Sequence, residues 1–276
     1  MPRKTVDTNA LQPSKGLKFL YETAVGRCVL KVATQVWVSR LVGAYMNCPL
    51  SRGMIKGAIR KNNIDMDRFV PEKFRCFNDF FTRELKPELK NLSQGLMSPC
   101  DSKLTVYPIT PELTFQVKGS CYRVEDLLQD RQLAREFMGG QCLVFRLSVD
   151  DYHRYGYFDD CQEEAWYYIK GRLHTVQPIA FRRYDVFKEN CREVTLLHTR
   201  HYGKAVQIEV GATCVGKIAN RHTPGDHARG EEKGRFLFGG STIVLLLKNA
   251  EIDREILENS AKGLETVVHF GEQIGK

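Results

Sequence analysis

Ser241 is the residue whose setting carries the most chemistry. It follows Gly239-Gly240 and lies between the aromatic stretch Phe236-Leu237-Phe238 and the apolar run Ile243 to Leu247. Two glycines remove the Cβ atoms that would block close backbone approach or unusual φ/ψ, so a strained peptide bond ahead of the serine is sterically possible. By itself, Gly-Gly-Ser is also an ordinary turn. Upstream, Asp150-Asp151-Tyr152-His153-Arg154 follows a predicted strand and puts one imidazole and two carboxylates where active-site loops are often built. Ser98-Pro99-Cys100-Asp101-Ser102 is a proline-marked turn that presents a carboxylate just before the predicted strand Lys103 to Tyr107. Asp101, His153 and Ser241 together supply the parts of a charge-relay set: an acid to orient an imidazole, a base, and a hydroxyl to activate.

Other chemistries lack their residues. Histidines 174, 198, 201, 222, 227 and 269 show no metal-ligand spacing, so no metal site is expected. Neither G-x-G-x-x-G nor a Walker A motif occurs, which leaves nucleotide-dependent chemistry without support. The nine cysteines are odd in number and contain no C-x-x-C pair, which argues against a disulfide framework or a zinc ribbon and for reduced thiols in a cytosolic compartment. A net charge of +8 favours anionic partners. Basic residues do not interleave with aromatics as in a nucleic-acid array, so no nucleic acid is expected and lipid is the better anionic partner.

These residues need elements to hold them. Met1 to Gly16 is polar, with no apolar core of a secretory signal. Leu17 to Met46 is apolar but interrupted by Lys18, Arg27, Lys31 and Arg40, too charged to span a bilayer. It suits a helix lying in a membrane interface with snorkelling cations, or one packed on the protein's own core. Helical signals continue to about Leu92, with Phe69, Phe74, Phe77, Phe80 and Phe81 near helical spacing. From Ser98 the texture turns to short runs bounded by Gly, Pro and Asn. Leu143 to Val149 and Val206 to Val210 alternate with polar neighbours, the period of half-buried strands, and Ile243 to Leu247 reads as a strand buried on both faces. One helix is predicted over Val124 to Met138, stopped by Gly139-Gly140, and a closing helix over Glu251 to Lys262. The fold class is therefore α+β: a helical region over 1–95, expected to face a membrane, and a β-rich catalytic domain over 96–276.

Several segments, read in order, carry a family pattern: Phe77-Asn78-Asp79-Phe80-Phe81-Thr82-Arg83, Ser98-Pro99-Cys100-Asp101, Asp151-Tyr152-His153-Arg154, Thr175-Val176-Gln177-Pro178-Ile179-Ala180, Glu189-Asn190, Val210-Gly211-Ala212 and Phe238-Gly239-Gly240-Ser241-Thr242. This chain resembles the phosphatidylserine decarboxylase proenzyme family. The resemblance implies an enzyme that makes its own cofactor. The Ser241 hydroxyl attacks the Gly240 carbonyl, the ester undergoes β-elimination, and hydrolysis leaves a pyruvoyl group where Ser241 stood. The products are a β chain, 1–240, and an α chain, 241–276. An imine between the substrate amine and this covalent pyruvoyl then draws off the electrons left by CO2, turning phosphatidylserine into phosphatidylethanolamine. His153 is the candidate base and later proton donor, oriented by Asp101.

The resemblance also implies a catalytic part like a barrel-sandwich hybrid, an anionic phospholipid substrate at a membrane surface, and a peripheral place on the cytoplasmic face of the cell membrane. Assembly as a homodimer is left open. This sequence departs from the family at three positions. Many members read Tyr-His-Arg-x-His, whereas the last position here is Gly156; Gln177 stands where Asn is usual, and Ser102 where Gly often follows the aspartate. Arg182 and Arg183 are cations that either meet phosphate or stay solvated. Two other functions share these residues: a pyruvoyl-dependent decarboxylase of a free amino acid, and an inactive lipid-binding homologue.

Overall fold

A computed structural model describes residues 2–7, 12–117, 120–212, 217–223, 225–238 and 241–276. The front end is helical: α1 (Lys15–Glu22), α2 (Ala24–Ala33), α3 (Val36–Asn47), α4 (Ile55–Asn62) and α5 (Phe77–Phe81). The apolar stretch from Leu17 to Met46 is thus three helices rather than one. Thr23 breaks the first from the second, its hydroxyl accepting the Gly26 amide at 2.9 Å and donating to the Phe19 carbonyl at 2.8 Å. Gly26 allows the sharp corner, since a Cβ there would sit 1.9 Å from the Phe19 carbonyl oxygen. Among the closely spaced phenylalanines, only 77, 80 and 81 fall in a helix.

Apart from β1 (Thr5–Asp7), a strand within the region expected to be helical, the described strands lie beyond the front end: β2 (Leu96–Met97), β3 (Ser102–Pro108), β4 (Thr114–Val117), β5 (Ser120–Arg123), β6 (Gln141–Leu147), β7 (Arg154–Gly156) and β8 (Cys161–Ile169). They continue with β9 (Arg192–Thr199), β10 (Gly203–Val210), β11 (Lys217–Asn220), β12 (Asp226–His227), β13 (Glu232–Leu237), β14 (Ser241–Leu247), β15 (Leu264–Val268) and β16 (Gln273–Gly275). Nine of them form one sheet in the order β1-β15-β3-β6-β14-β10-β9-β8-β12, with every pairing antiparallel, and three form a second sheet, β11-β13-β7. The architecture is α+β. Among the described residues the large sheet is open, so the barrel part of the expected barrel-sandwich likeness is not seen.

Burial corrects the reading of two strands. β14 is buried on both faces, as its continuous apolar run requires. β6 and β10, read as half-buried from their alternation, are buried on both faces too. In β10 the polar positions Gln207 and Glu209 are buried, and Lys233 of β13, Asn220 of β11 and Gln207 itself donate to the Glu209 carboxylate. The predicted helix over Val124 to Met138 is two: α6 (Val124–Leu128) ends at Gln129, left-handed at φ +52°, and Asp130 caps α7 (Arg131–Glu136) by accepting two amides at 2.9 Å. A second pair of short helices, α8 (Pro178–Phe181) and α9 (Val186–Glu189), precedes β9, and α10 (Arg254–Ala261) lies within the predicted closing helix. β15 and β16 follow it and end the described chain.

The front end is bonded to the sheet region. The Leu173 amide donates to the Thr34 carbonyl at 3.0 Å and the Thr175 amide to the Tyr21 hydroxyl at 3.0 Å.

Candidate active site

Ser241 opens β14, directly opposite Leu147 at the end of β6. Its side chain is buried, and Oγ has no hydrogen-bond partner among the described residues. Gly240, the other half of the expected cleavage site, and Gly239 lie outside the described residues. The approach to them is held by α5. Asn78 accepts the Phe238 amide on Oδ1 at 2.9 Å and donates from Nδ2 to Asn47 Oδ1 at 2.9 Å. The Phe238 ring meets Phe77 and Phe81 edge-on at 5.0 and 5.5 Å between centroids.

Phe81 also touches His153, with ring centroids 3.8 Å apart, so one aromatic ring links the imidazole to the segment leading into Ser241. The backbone adds a second link, from the Phe236 amide to the His153 carbonyl at 2.9 Å. His153 is fully buried. Nδ1 lies 2.9 Å from the Asp151 carbonyl, an acceptor only, so Nδ1 carries the proton and Nε2 is left with a lone pair. No described group hydrogen-bonds Nε2. Burial, followed by the nearby Arg83 guanidinium, holds the ring's pKa well below its ordinary value and keeps the imidazole neutral.

Asp101 sits just before β3. Since Lys103 pairs with Arg146 on β6 and Ser241 with Leu147, this end of β3 lies two strands from β14, about 10 Å across the sheet. Its carboxylate is buried and accepts the Phe270 amide at 2.8 Å, with Arg68 at 2.9 Å and His269 Nδ1 at 3.5 Å. Burial opposes its ionisation, but His269 and Arg68 outweigh that and hold the carboxyl below the usual range. The same contact raises the pKa of His269. The observed bond that orients His153 thus comes from the Asp151 carbonyl, and the observed bonds of Asp101 go to other groups.

Three family departures now have surroundings. A Cβ on Gly156 would stand 2.7 Å from the Glu231 carbonyl oxygen and 3.1 Å from the Phe270 ring, so backbone packing dictates glycine there. Ser102 is buried with an unpartnered Oγ, and Gln177 is exposed at the start of α8 without a capping bond. Arg182 and Arg183, just after α8, are both exposed. Among the described residues, no group of three or more His, Cys, Asp or Glu is placed to hold a metal.

Sequence reasoning passed over residues that brace the histidine. Arg83, buried at the end of its motif, donates to the carbonyls of Asp150 and Asp151 at 3.0 and 3.3 Å. Lys103, at a strand start, reaches the Asp151 carboxylate. Only the motif containing Arg83 marked it, and no signal marked Lys103.

A profile of the family described as phosphatidylserine decarboxylase matches residues 77–276, the span containing Arg83, Asp101, Lys103, His153 and Ser241. The chain belongs to the phosphatidylserine decarboxylase family. It is 46% identical over 267 residues to phosphatidylserine decarboxylase proenzyme 2 of Clostridium acetobutylicum, covering 94% of this chain and 91% of that one. Similar matches are the phosphatidylserine decarboxylase proenzymes of Ruminiclostridium cellulolyticum, 39% identical, and Clostridium kluyveri, 37% identical. Each covers 99% of this chain, and 95% and 96% of the respective relative. Membership identifies the kind of enzyme, a decarboxylase made as a proenzyme and processed into chains.

Proposed function

We propose that this protein converts phosphatidylserine to phosphatidylethanolamine and CO2 after cutting itself between Gly240 and Ser241. The observation that carries the reading is a pair of buried, unpartnered atoms, Ser241 Oγ and His153 Nε2. An unsatisfied buried polar atom costs about 1–3 kcal/mol, and two of them on a hydroxyl and a base fit a reaction better than a fold.

His153 is neutral, with its free lone pair on Nε2, so it is suited to take the Ser241 proton as Oγ attacks the Gly240 carbonyl carbon. The amide nitrogen leaves with a proton, and elimination at the resulting ester frees the Gly240 carboxylate. The remaining α-chain terminus hydrolyses with loss of ammonia to a pyruvoyl group. Ser241 fits that group, being a buried first residue of a strand whose side chain makes no bond that the change would break. The pyruvoyl carbonyl supplies the electron sink for decarboxylation. In the mature enzyme His153 holds a proton for the substrate's α-carbon, shielded from water by Phe81. Asp101, with Arg68 and His269, stands at the same end of the sheet and shapes the field around the ring rather than binding it.

The lipid substrate calls for a membrane surface, and the front end supports one. Val25, Val29 and Val32 on α2 and Trp37, Leu41 and Tyr45 on α3 are exposed at helical spacing, with Leu50 beyond, and Lys18, Lys31, Arg40 and Arg52 are exposed beside them. No helix among the described residues is long and apolar enough to cross a membrane. This reading makes the enzyme peripheral, docked by helices on the anionic, cytoplasmic face.

Mass spectrometry of the purified protein, with CO2 release from phosphatidylserine vesicles, tests the proposal. An α chain starting at position 241 with a blocked, carbonyl-reactive end is expected, and Ser241→Ala should stay intact and inactive. A single intact species after prolonged incubation with lipid overturns it, as does turnover confined to soluble serine or aromatic amino acids.

A further inference from the structure

Two buried cations converge on the turn that carries His153. Lys103 Nζ lies 2.7 and 2.6 Å from the two carboxylate oxygens of Asp151 and 3.3 Å from Asp150. The same carboxylate accepts the Ser148 amide at 2.6 Å, and the Asp151 amide donates to the Ser148 carbonyl at 3.0 Å, which closes the turn on itself. Arg83 holds the turn from the other side through the Asp150 and Asp151 carbonyls, its guanidinium lying 4.1 Å from the centroid of the Phe69 ring.

We propose that Lys103 is a positioning residue for self-cleavage: by gripping the Asp151 carboxylate it fixes the Asp151 carbonyl, and that carbonyl aims the Nε2 lone pair of His153. The inference rests on the reading of His153 as the base at Ser241. Its physical basis is that both groups belong to one residue. With its side chain held by an ammonium and an amide, the Asp151 peptide plane cannot turn, and the carbonyl stays at 2.9 Å from Nδ1. The anchor is firm, because Lys103 belongs to β3 and pairs with Arg146 in the central sheet. Without the ammonium, the buried carboxylate keeps one amide donor and must take up a proton or swing towards solvent, carrying the carbonyl with it.

The charges facing His153 give the inference a second readout. Arg83 and Lys103 oppose protonation of the ring, while Asp101 and the bond to the Asp151 carbonyl favour it. Loss of Lys103 removes one opposing cation, which raises the pH at which His153 takes up a proton.

The test follows full-length chains made by cell-free translation, timing the appearance of the two products across pH. Lys103→Met should cleave at least about tenfold more slowly, with its acid limb moved to higher pH, whereas Lys103→Arg, which keeps the charge, stays within about threefold of wild type. The double variant Lys103→Met/Asp151→Asn leaves no buried unpaired charge to disturb folding and should be as slow as Lys103→Met. In the uncleavable Ser241→Ala protein, imidazole nitrogen NMR should show His153 titrating at higher pH once Lys103→Met is added. Wild-type rates in the single or double variant, or an unchanged His153 titration, overturn the inference. If His153→Gln cleaves like wild type, the base assignment fails separately, and the titration alone still judges Lys103.

Discussion

At Gly156 the backbone leaves no room for a side chain, and that explains a gap in the family pattern better than lost chemistry does. The Glu231 carbonyl, the Gly230 carbonyl and the Phe270 ring all lie within 3.2 Å of where a Cβ would be. Gly156→His, which rebuilds the family's second histidine, is expected to cost about 1–3 kcal/mol and to leave self-cleavage no faster. Thermal unfolding in a Ser241→Ala background measures the first, and product mass spectra of the single variant the second. A variant that is stable and cleaves faster would show that an imidazole is missing. In the sequence, a hydroxyl after two glycines and an imidazole after a strand single out Ser241 and His153 as candidates, but each alone also reads as a turn or a structural histidine, and the family resemblance supplied their proposed roles. The bond that orients His153 is illegible, since it comes from a backbone carbonyl and every residue has one. Lys103 is hidden for another reason: a lysine at a strand start resembles a solvated one until its carboxylate partner folds over it.

Strand alternation taught a different lesson. Val206 to Val210 has the period of a strand with one wet face, yet Gln207 and Glu209 are both fully buried. Lys233, also fully buried, donates to both Glu209 oxygens at 3.0 Å, Gln207 donates to Glu209 at 2.9 Å, and Asn220 bridges Glu209 to Glu193. A polar residue every second position records a facing partner as readily as it records water. Burial pushes the Glu209 carboxyl up, against the pull of Lys233. Lys233→Met should therefore destabilise the protein by about 3–5 kcal/mol, and Lys233→Met/Glu209→Met by clearly less, because the double change leaves no orphaned charge. Denaturant unfolding of uncleavable protein checks this, and equal losses in the two variants would contradict it. The helices behave alike: Thr23 ends α1 and caps α2, while left-handed Gln129 ends α6 and Asp130 caps α7, so apolar periodicity ran on across both breaks.

Taken as one body, the molecule presents its exposed apolar side chains chiefly on the helices of the front end, while the residues proposed to react sit at one end of the central sheet. The change of texture near residues 90–98 made a helical front end and a β-rich remainder readable from sequence, whereas the division of Leu17 to Met46 into three helices was not. Membrane docking is expected to depend on α3. Trp37→Ser/Leu41→Ser should weaken partition onto phosphatidylserine vesicles by at least about tenfold, as each large apolar side chain withdrawn from water contributes about 1.5–3 kcal/mol. Cosedimentation measures it, and unchanged partition would place the docking surface elsewhere.

β14 lies between β6 and β10 in the middle of the large sheet, and β15 further along pairs with both β1 and β3. On the proposed cleavage, a single nick before Ser241 yields two polypeptides that remain interwoven, each supplying strands to the sheet of the other. The uncut precursor is expected to regain its shape as a single chain after denaturation. The mature enzyme must first find its other half, so its recovery depends on concentration, and what began as a folding problem ends as an assembly problem.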